Sequence, residues 1–403
     1  MDAAFTEEQD EDRRRALRAL LRDHHGPDGP GAAGEGPRGH DEGLWRTLAG
    51  RLGVPGLALP AAYGGAGRGA AALALACEEA GRVLLPAPLL PTAALAAPLL
   101  LALGSEAQRS ELLPAFAAGE LTGTLAVPGA RLATALALTG PNTGDWAGGG
   151  RAGGIQARAD GRCAWRLYGE ADQVLHGYGA DLLLVAARAG AYARGRTLLF
   201  VVRAGVPGLR RTRYAALDET RPQGSLELRD VPAALLGDDE SGAAVPAALA
   251  AAGATAAVAL AAEAVGAADA ALAGAAAHVR GRSDRAQGGS LAVRHRLADL
   301  YAAVRSARAT VYSAAGEADN GRGAPGECGL APAQALEALR AVAGEAVQVR
   351  AGGGSLGERA AQRYARRAAG DELLFGPAHR LRTHAAEVGG LFAAHRMGEA
   401  VPA

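Results

Sequence analysis

Gln348-Val349-Arg350-Ala351-Gly352-Gly353-Gly354-Ser355-Leu356-Gly357-Glu358-Arg359 reads as a glycine-rich turn between two helical patterns. Upstream, Ala333 to Val342 places its apolar residues at helical spacing; downstream, Arg359 to Ala369 reads as a basic helix. Glycines in series let the backbone take positive φ and approach a ligand closely. The N–H groups opening the next helix favour an anionic group. One carboxylate, Glu358, stands at that junction. Its plain reading is a helix-start carboxylate stabilised by the macrodipole. Its functional reading is a general base that takes a proton α to a carbonyl, which calls for a tuned pKa in a water-poor site.

Outward from this turn, the chain reads helical, then β, then helical. Helices are expected over 6–24 (Thr6 as N-cap), 44–52, 70–83, 91–103 and 107–118. Leu57 to Pro60 reads as extended, and residues 25–42, rich in Gly and Pro, as a flexible loop. From about 122 to 236, short apolar runs alternate with Gly, Asp and Pro. Thr124–Val127, Leu182–Ala186 and Thr197–Val202 read as strands of a small β domain. Helices return over 245–279, 291–318 and 332–349, with one or two more over 359–386. The expected division is 1–121 helical, 122–240 β, and 241–403 a helical bundle.

The chain has 403 residues and is 49% hydrophobic, enough for two or three domains and a large core. Formal net charge is zero, so the charge balance gives no nucleic-acid footprint. There is no lysine, which excludes a Schiff-base or P-loop lysine. Cys77, Cys163 and Cys328 lie far apart with no CxxC pair, so neither a disulfide framework nor a cysteine zinc site is expected. No histidine pair has HExxH spacing, and no metal is expected. The acidic N-terminus lacks an apolar signal region, and prolines interrupt the apolar stretch 84–103. A cytoplasmic protein that neither binds nucleic acid nor spans a membrane is expected.

Three motifs compete for the chemistry. Gly353-Gly354-Ser355-Leu356-Gly357 satisfies GxSxG, with Asp371, His379 and His384 following in hydrolase order. That keeps a serine hydrolase using Ser355 as a minor reading. Gly148 to Gly153 satisfies GxGxxG, but after a loop rather than a strand. Arg280, Arg282, Arg285, Arg294 and Arg296 form a basic run, either a solvated helix end or a phosphate clamp.

Several stretches, in order, resemble the acyl-CoA dehydrogenase family. Leu57 to Gly67 is similar to its GLPEEYGGAG segment, and Glu78 to Arg82 to its EELGR. Leu217-Asp218-Glu219-Thr220-Arg221 resembles LDxTR, Glu263 to Gly266 the end of AAExxG, and His295 to Leu300 KHRLADM. The opening stretch resembles QVHGGIGFTWEH, and Tyr364 to Ala368 the YLRRA after it. The resemblance covers nearly the whole chain. It implies an α+β multidomain fold: an N-terminal helical domain, a middle β-barrel-like domain and a C-terminal four-helix bundle.

The resemblance also implies FAD, an acyl thioester substrate on CoA or a carrier protein, and an electron acceptor such as an electron-transfer flavoprotein. Glu358 falls on the family's base, and Arg282 on its FAD diphosphate contact. Gln348, Gly352 and the adjoining Gly353 fall in the turn that touches the FAD of a neighbouring subunit. This chain has Arg285 and Ala286 where the family has the Phe-Gly of RxxFG, and Leu291 at its flavin-contacting glutamine. Val174-Leu175-His176 stands where a flavin-flanking W-[IS]-[TS] is expected. Eroded flavin contacts beside a kept carboxylate resemble one subunit of a heteromeric dehydrogenase, either active or a catalytically silent structural partner.

Overall fold

The computed structural model describes residues 2–25, 36–128, 131–144, 146–148, 154–161, 164–190, 195–282, 290–320, 329–350 and 356–392. An N-terminal helical layer comprises α1 (Asp2–His25), α2 (Glu42–Leu52), α3 (Gly69–Arg82), α4 (Ala97–Leu103) and α5 (Glu106–Ala117). A π-helical stretch, Leu90–Ala96, leads into α4. Among the described residues seven strands follow: β1 (Gly123–Ala126), β2 (Gln156–Ala159), β3 (Trp165–Leu175), β4 (Leu182–Ala189), β5 (Arg196–Arg203), β6 (Leu209–Tyr214) and β7 (Gln223–Leu235). The short α6 (Leu132–Ala135) lies between β1 and β2. The bundle is α7 (Val245–Arg282), α8 (Ser290–Asp319), α9 (Leu330–Arg350) and α10 (Leu356–Leu374), with α11 (Ala378–Val388) behind it. The helical, β, helical order expected from the sequence is the observed one.

Two local expectations change. The helix of α1 is already formed at Asp2, so Thr6 lies inside it rather than capping it. Leu57 to Pro60 is not extended. Leu57 and Leu59 donate to the carbonyls of Val54 and Gly56, closing tight turns that follow a 3-10 turn at Val54–Gly56. Both leucines are buried, which the turn achieves without a strand partner. The Gly/Pro-rich 26–35 and most of the GxGxxG match lie outside the described residues; its Gly148 bridges to Gly154.

The sheet closes on itself through β4-β2-β3-β7-β5 and back to β4, with β1 added on β4 and β6 on β7. Strand β4 is buried along its whole length because it separates two cores. Leu183, Val185, Ala187 and Ala189 point into the barrel, while Leu182, Leu184 and Ala186 join the helical core. A period-two split between two buried faces is why this strand reads as an unbroken apolar run. Trp165 and Phe200, with ring centroids 5.3 Å apart, fill the barrel interior.

Helix α7 is apolar and long enough by composition to cross a membrane, but most of that stretch is buried among α3, α8 and α9. It meets α3 at backbone contact. A Cβ on Gly81 would stand 2.0 Å from the Glu263 carbonyl oxygen, and one on Gly266 would stand 1.9 Å from that of Glu78. Each helix therefore supplies the glycine that admits the other's backbone. The opening N–H groups of α3, at Ala70 and Ala71, donate to the Asp319 carboxylate at the end of α8. Replacing Asp319 by alanine is expected to cost about 1 kcal/mol, the usual value of a lost helix cap, read from the urea midpoint.

Candidate active site

A cavity of about 470 Å³ opens in the seam between barrel and bundle. One side is built by α6 with Thr139, by Gln173 of β3, and by the segment from Tyr214 to Asp218 with Arg221 and Gln223. The other is the C-terminal half of α10 (Ala369, Gly370, Leu373, Leu374) with Gly376, Pro377 and Arg380. This volume lies in the range of small-molecule sites. Leu217 and Leu373, both exposed, give its rim an apolar surface.

Gln173 reaches the cavity through a bulge. Between Ala171 and Val174 strand β3 advances three residues while β7 advances two, from Leu226 to Gly224. Gln173 takes φ +56°, a left-handed conformation that a glutamine adopts at a cost of about 1–2 kcal/mol. None of Val174, Leu175 and His176 lines the cavity, although the sequence pattern sets them beside a flavin; the residue before them does. Gly376, at φ +97°, brings the chain against Thr139, where a Cβ would stand 2.7 Å from the threonine methyl.

Behind the cavity wall lies a buried cluster of charges that crosses the seam in both directions. Arg221, from the barrel side, donates from Nε to Asp371 of α10 (2.6 Å) and from Nη2 to Glu263 of α7 (2.5 Å). Arg367, from α10, donates from Nε to Asp218 (2.6 Å), and from Nη2 to the Thr220 carbonyl (3.0 Å) and hydroxyl (2.6 Å). Asp218 also accepts from the Thr220 backbone N–H and hydroxyl. Burial alone would raise the Asp218 carboxyl, but Arg367, Thr220 and Arg221 outweigh it and hold it below the usual carboxylate range. Burial opposes the charge on Arg221 too, yet its hydrogen bonds to Asp371 and Glu263 raise its pKa and keep it charged.

The sequence-predicted residues gather elsewhere. Glu358 lies half-buried in the first turn of α10, eleven residues before Ala369, the nearest cavity residue on that helix. At 1.5 Å per residue that is about 16 Å along the axis. Arg282 ends α7, and Gln348 is exposed in the last turn of α9. Gly352, Gly353 and Ser355 lie outside the described residues. Arg350 ties these ends together: its guanidinium donates to the Gly357 carbonyl (2.7 Å) and to that of Gly274 on α7. The proposed base and the cavity thus occupy opposite ends of one helix.

The hydrolase reading fails on its context. A nucleophile elbow needs a strand before the turn, and α9 is helical to Arg350. Asp371 is bound to Arg221 rather than to a histidine. Of the basic run, Arg296 pairs with Glu345 at 3.0 Å. Among the described residues, no three His, Cys, Asp or Glu side chains form a metal site.

The sequence reading missed Gln173 and the cluster. LDETR stood as a signature without its partners, and Asp371 as a triad acid. Arg367 and Asp371 stand four apart on one face of α10 beside Arg363 and Tyr364, and this spacing alone does not mark them as buried.

Family models for the acyl-CoA dehydrogenase N-terminal and C-terminal domains match residues 6–120 and 251–389. A helical layer, a closed barrel and a bundle with a ligand-sized cavity in their seam form the acyl-CoA dehydrogenase architecture, and the chain belongs to that family. Among its relatives, the acyl-CoA dehydrogenase IpdE2 of Mycolicibacterium smegmatis is 31% identical over 93% of this chain and 97% of its own. A structure described as a variant of the Tcur3481-Tcur3483 steroid ACAD is 30% identical, with TM-score 0.78, covering 97% of this chain and 100% of that one. The ChsE4-ChsE5 complex from Mycobacterium tuberculosis shares the fold at TM-score 0.75 and 24% identity, covering 98% of both chains. Members of the family bind FAD, and a neighbouring glutaryl-CoA dehydrogenase is described in complex with FADH2.

The residues present fit part of such a cofactor. Gln173, Gln223, Thr134 and Tyr214 bring amides and hydroxyls to the cavity, suited to the edge of a flat heteroaromatic ring. The turn assigned to a neighbour's FAD lies, in part, outside the described residues.

Proposed function

We propose that the chain is one subunit of an FAD-dependent dehydrogenase that removes hydrogen from the α and β carbons of an acyl thioester. The cavity in the barrel–bundle seam of a chain of this family carries the reading. Bound FAD would supply the hydride acceptor, and turnover would need an electron acceptor such as an electron-transfer flavoprotein. The chain's own amides and hydroxyls at the cavity would hold a part of the bound molecule remote from the reacting carbons. Leu217 and Leu373 would bed an apolar part of that molecule.

In this reading Glu358 is the α-proton base. Because it lies about 16 Å along α10 from the cavity, this role requires the thioester α carbon to reach it at the other end of the bundle, where the reading puts a site shared with a second chain. The FAD-contact residues Arg282, Gln348, Gly352 and Gly353 belong to the same end of the bundle in the sequence pattern. The Glu358→Gln protein, assembled with its partner, is expected to lose about 10²–10⁴-fold in turnover while retaining flavin. Undiminished dehydrogenation would remove the assignment.

A specific observation favours a second reading, a catalytically silent subunit. Among the described residues, the cavity wall's only carboxylate is Asp218, which is held by Arg367 and Thr220. A colourless chain, whether alone or with any homologous partner, is the outcome for that reading. A yellow complex that loses turnover in Glu358→Gln is the outcome for the first.

A further inference from the structure

The cluster behind the cavity holds three carboxyl groups, Asp218, Glu263 and Asp371, against two guanidinium groups, Arg221 and Arg367. All five residues are buried. With every carboxyl ionised, one negative charge would stand uncompensated in the interior, and such a group takes up a proton instead.

The hydrogen bonds say which one. Asp218 accepts from Arg367 and twice from Thr220. Glu263 faces both guanidinium groups, at 2.5 Å from Arg221 and 3.5 Å from Arg367. Asp371 accepts from Arg221 on Oδ1 alone; its buried Oδ2 has no partner. Cys77 of α3 also bears on Glu263 and Arg221, and burial keeps its thiol neutral by raising its pKa.

We propose that Asp371 is a neutral, proton-bearing carboxyl that positions Arg221 on the cavity wall, and that loss of this proton weakens the link between barrel and bundle. Asp371 does not line the cavity; it acts through Arg221, which does, and so is a positioning residue. The inference concerns the wall itself and stands whichever reaction the assembled protein performs. Burial and Glu263 raise the Asp371 carboxyl against the pull of Arg221 and Arg367, in keeping with a resident proton.

Asparagine has the shape of the neutral acid, so two chemically identical substitutions separate the outcomes. In the full-length chain, Asp371→Asn is expected to leave the thermal midpoint near its original value at neutral pH. Asp218→Asn, which removes an ionised partner of Arg367, is expected to lower it by several degrees. The pH profile adds a readout that plain packing would not move. A folded-state pKa above the unfolded one means that stability is lost as pH rises between the two. The original chain should lose midpoint relative to Asp371→Asn across that window. Infrared spectroscopy should show a protonated-carboxyl band that shifts in D2O and is missing from Asp371→Asn. Equal loss of stability in the two variants, or no such band, would overturn the assignment.

Discussion

Replacing Arg367 by alanine is expected to destabilise the folded chain by about 3–5 kcal/mol, read from the denaturant midpoint at neutral pH. The size follows from what would be left behind. Asp218 would keep only its Thr220 contacts, Thr220 would lose a donor to its carbonyl, and Glu263 one of its two cations. A buried carboxylate without its cation costs far more than the pair contributes when intact. Because Arg367 belongs to the bundle and Asp218 to the barrel side of the seam, the change should also loosen one cavity wall. Arg367→Lys should recover little, since an ammonium group cannot present donors from both Nε and Nη2 in a fixed plane. A loss below about 1 kcal/mol for the alanine variant would show the cluster to be hydrated.

The second large effect is acid sensitivity centred on His176. This ring is buried at φ +54°, 4.9 Å from the ring of His40, and its Nε2 has no partner. Burial, with the repulsion of His40 and Arg38, pushes its pKa down to about 3 from an ordinary 6.5. Unfolding exposes the imidazole, which then takes up a proton at the ordinary value. The unfolded state therefore binds more protons than the folded one between those two pKa values, and stability falls as pH falls through that window. At pH 5 the loss is roughly 2 kcal/mol, and below pH 3 it approaches about 4–5 kcal/mol. Urea midpoints at pH 7.5 and 5 in the original chain and in His176→Asn measure it. Equal pH dependence in both proteins would assign the effect to other groups. His40, also lowered by burial, adds in the same direction.

What was legible in the sequence was whatever a local pattern records. Helix α7 announces itself by its unbroken Ala/Leu/Val composition, α8 to α10 by helical spacing, and β4 and β5 by apolar runs between turn signals. Closure of the barrel was not legible from pattern, because β4 finds β1 and β2, and β5 finds β7, across dozens of residues, and only the β4–β5 pair is local. The bulge that aims Gln173 carries no glycine to mark it. The cavity wall depends on pairings between positions about 150 apart, 218 with 367 and 221 with 371, and nothing local distinguishes those residues from surface charges. Glu358 was legible as a chemical candidate, but its distance from the cavity emerges only once α10 has a direction and a length.

The glycine contact between α3 and α7 has a consequence for how the two layers can move. Glu78 on α3 holds Tyr312 and Arg308 of α8 together with Arg14 of α1, while Glu263 on α7 holds Arg221 and Arg367. The carbonyls of these same two glutamates are the ones pressed against Gly266 and Gly81. One helix crossing therefore acts as the common origin from which both ion networks are measured. Sliding or rotating α3 on α7 would put both out of step at once, so the N-terminal layer and the bundle behave as one rigid frame. Adjustment to a ligand is left to the barrel-side wall.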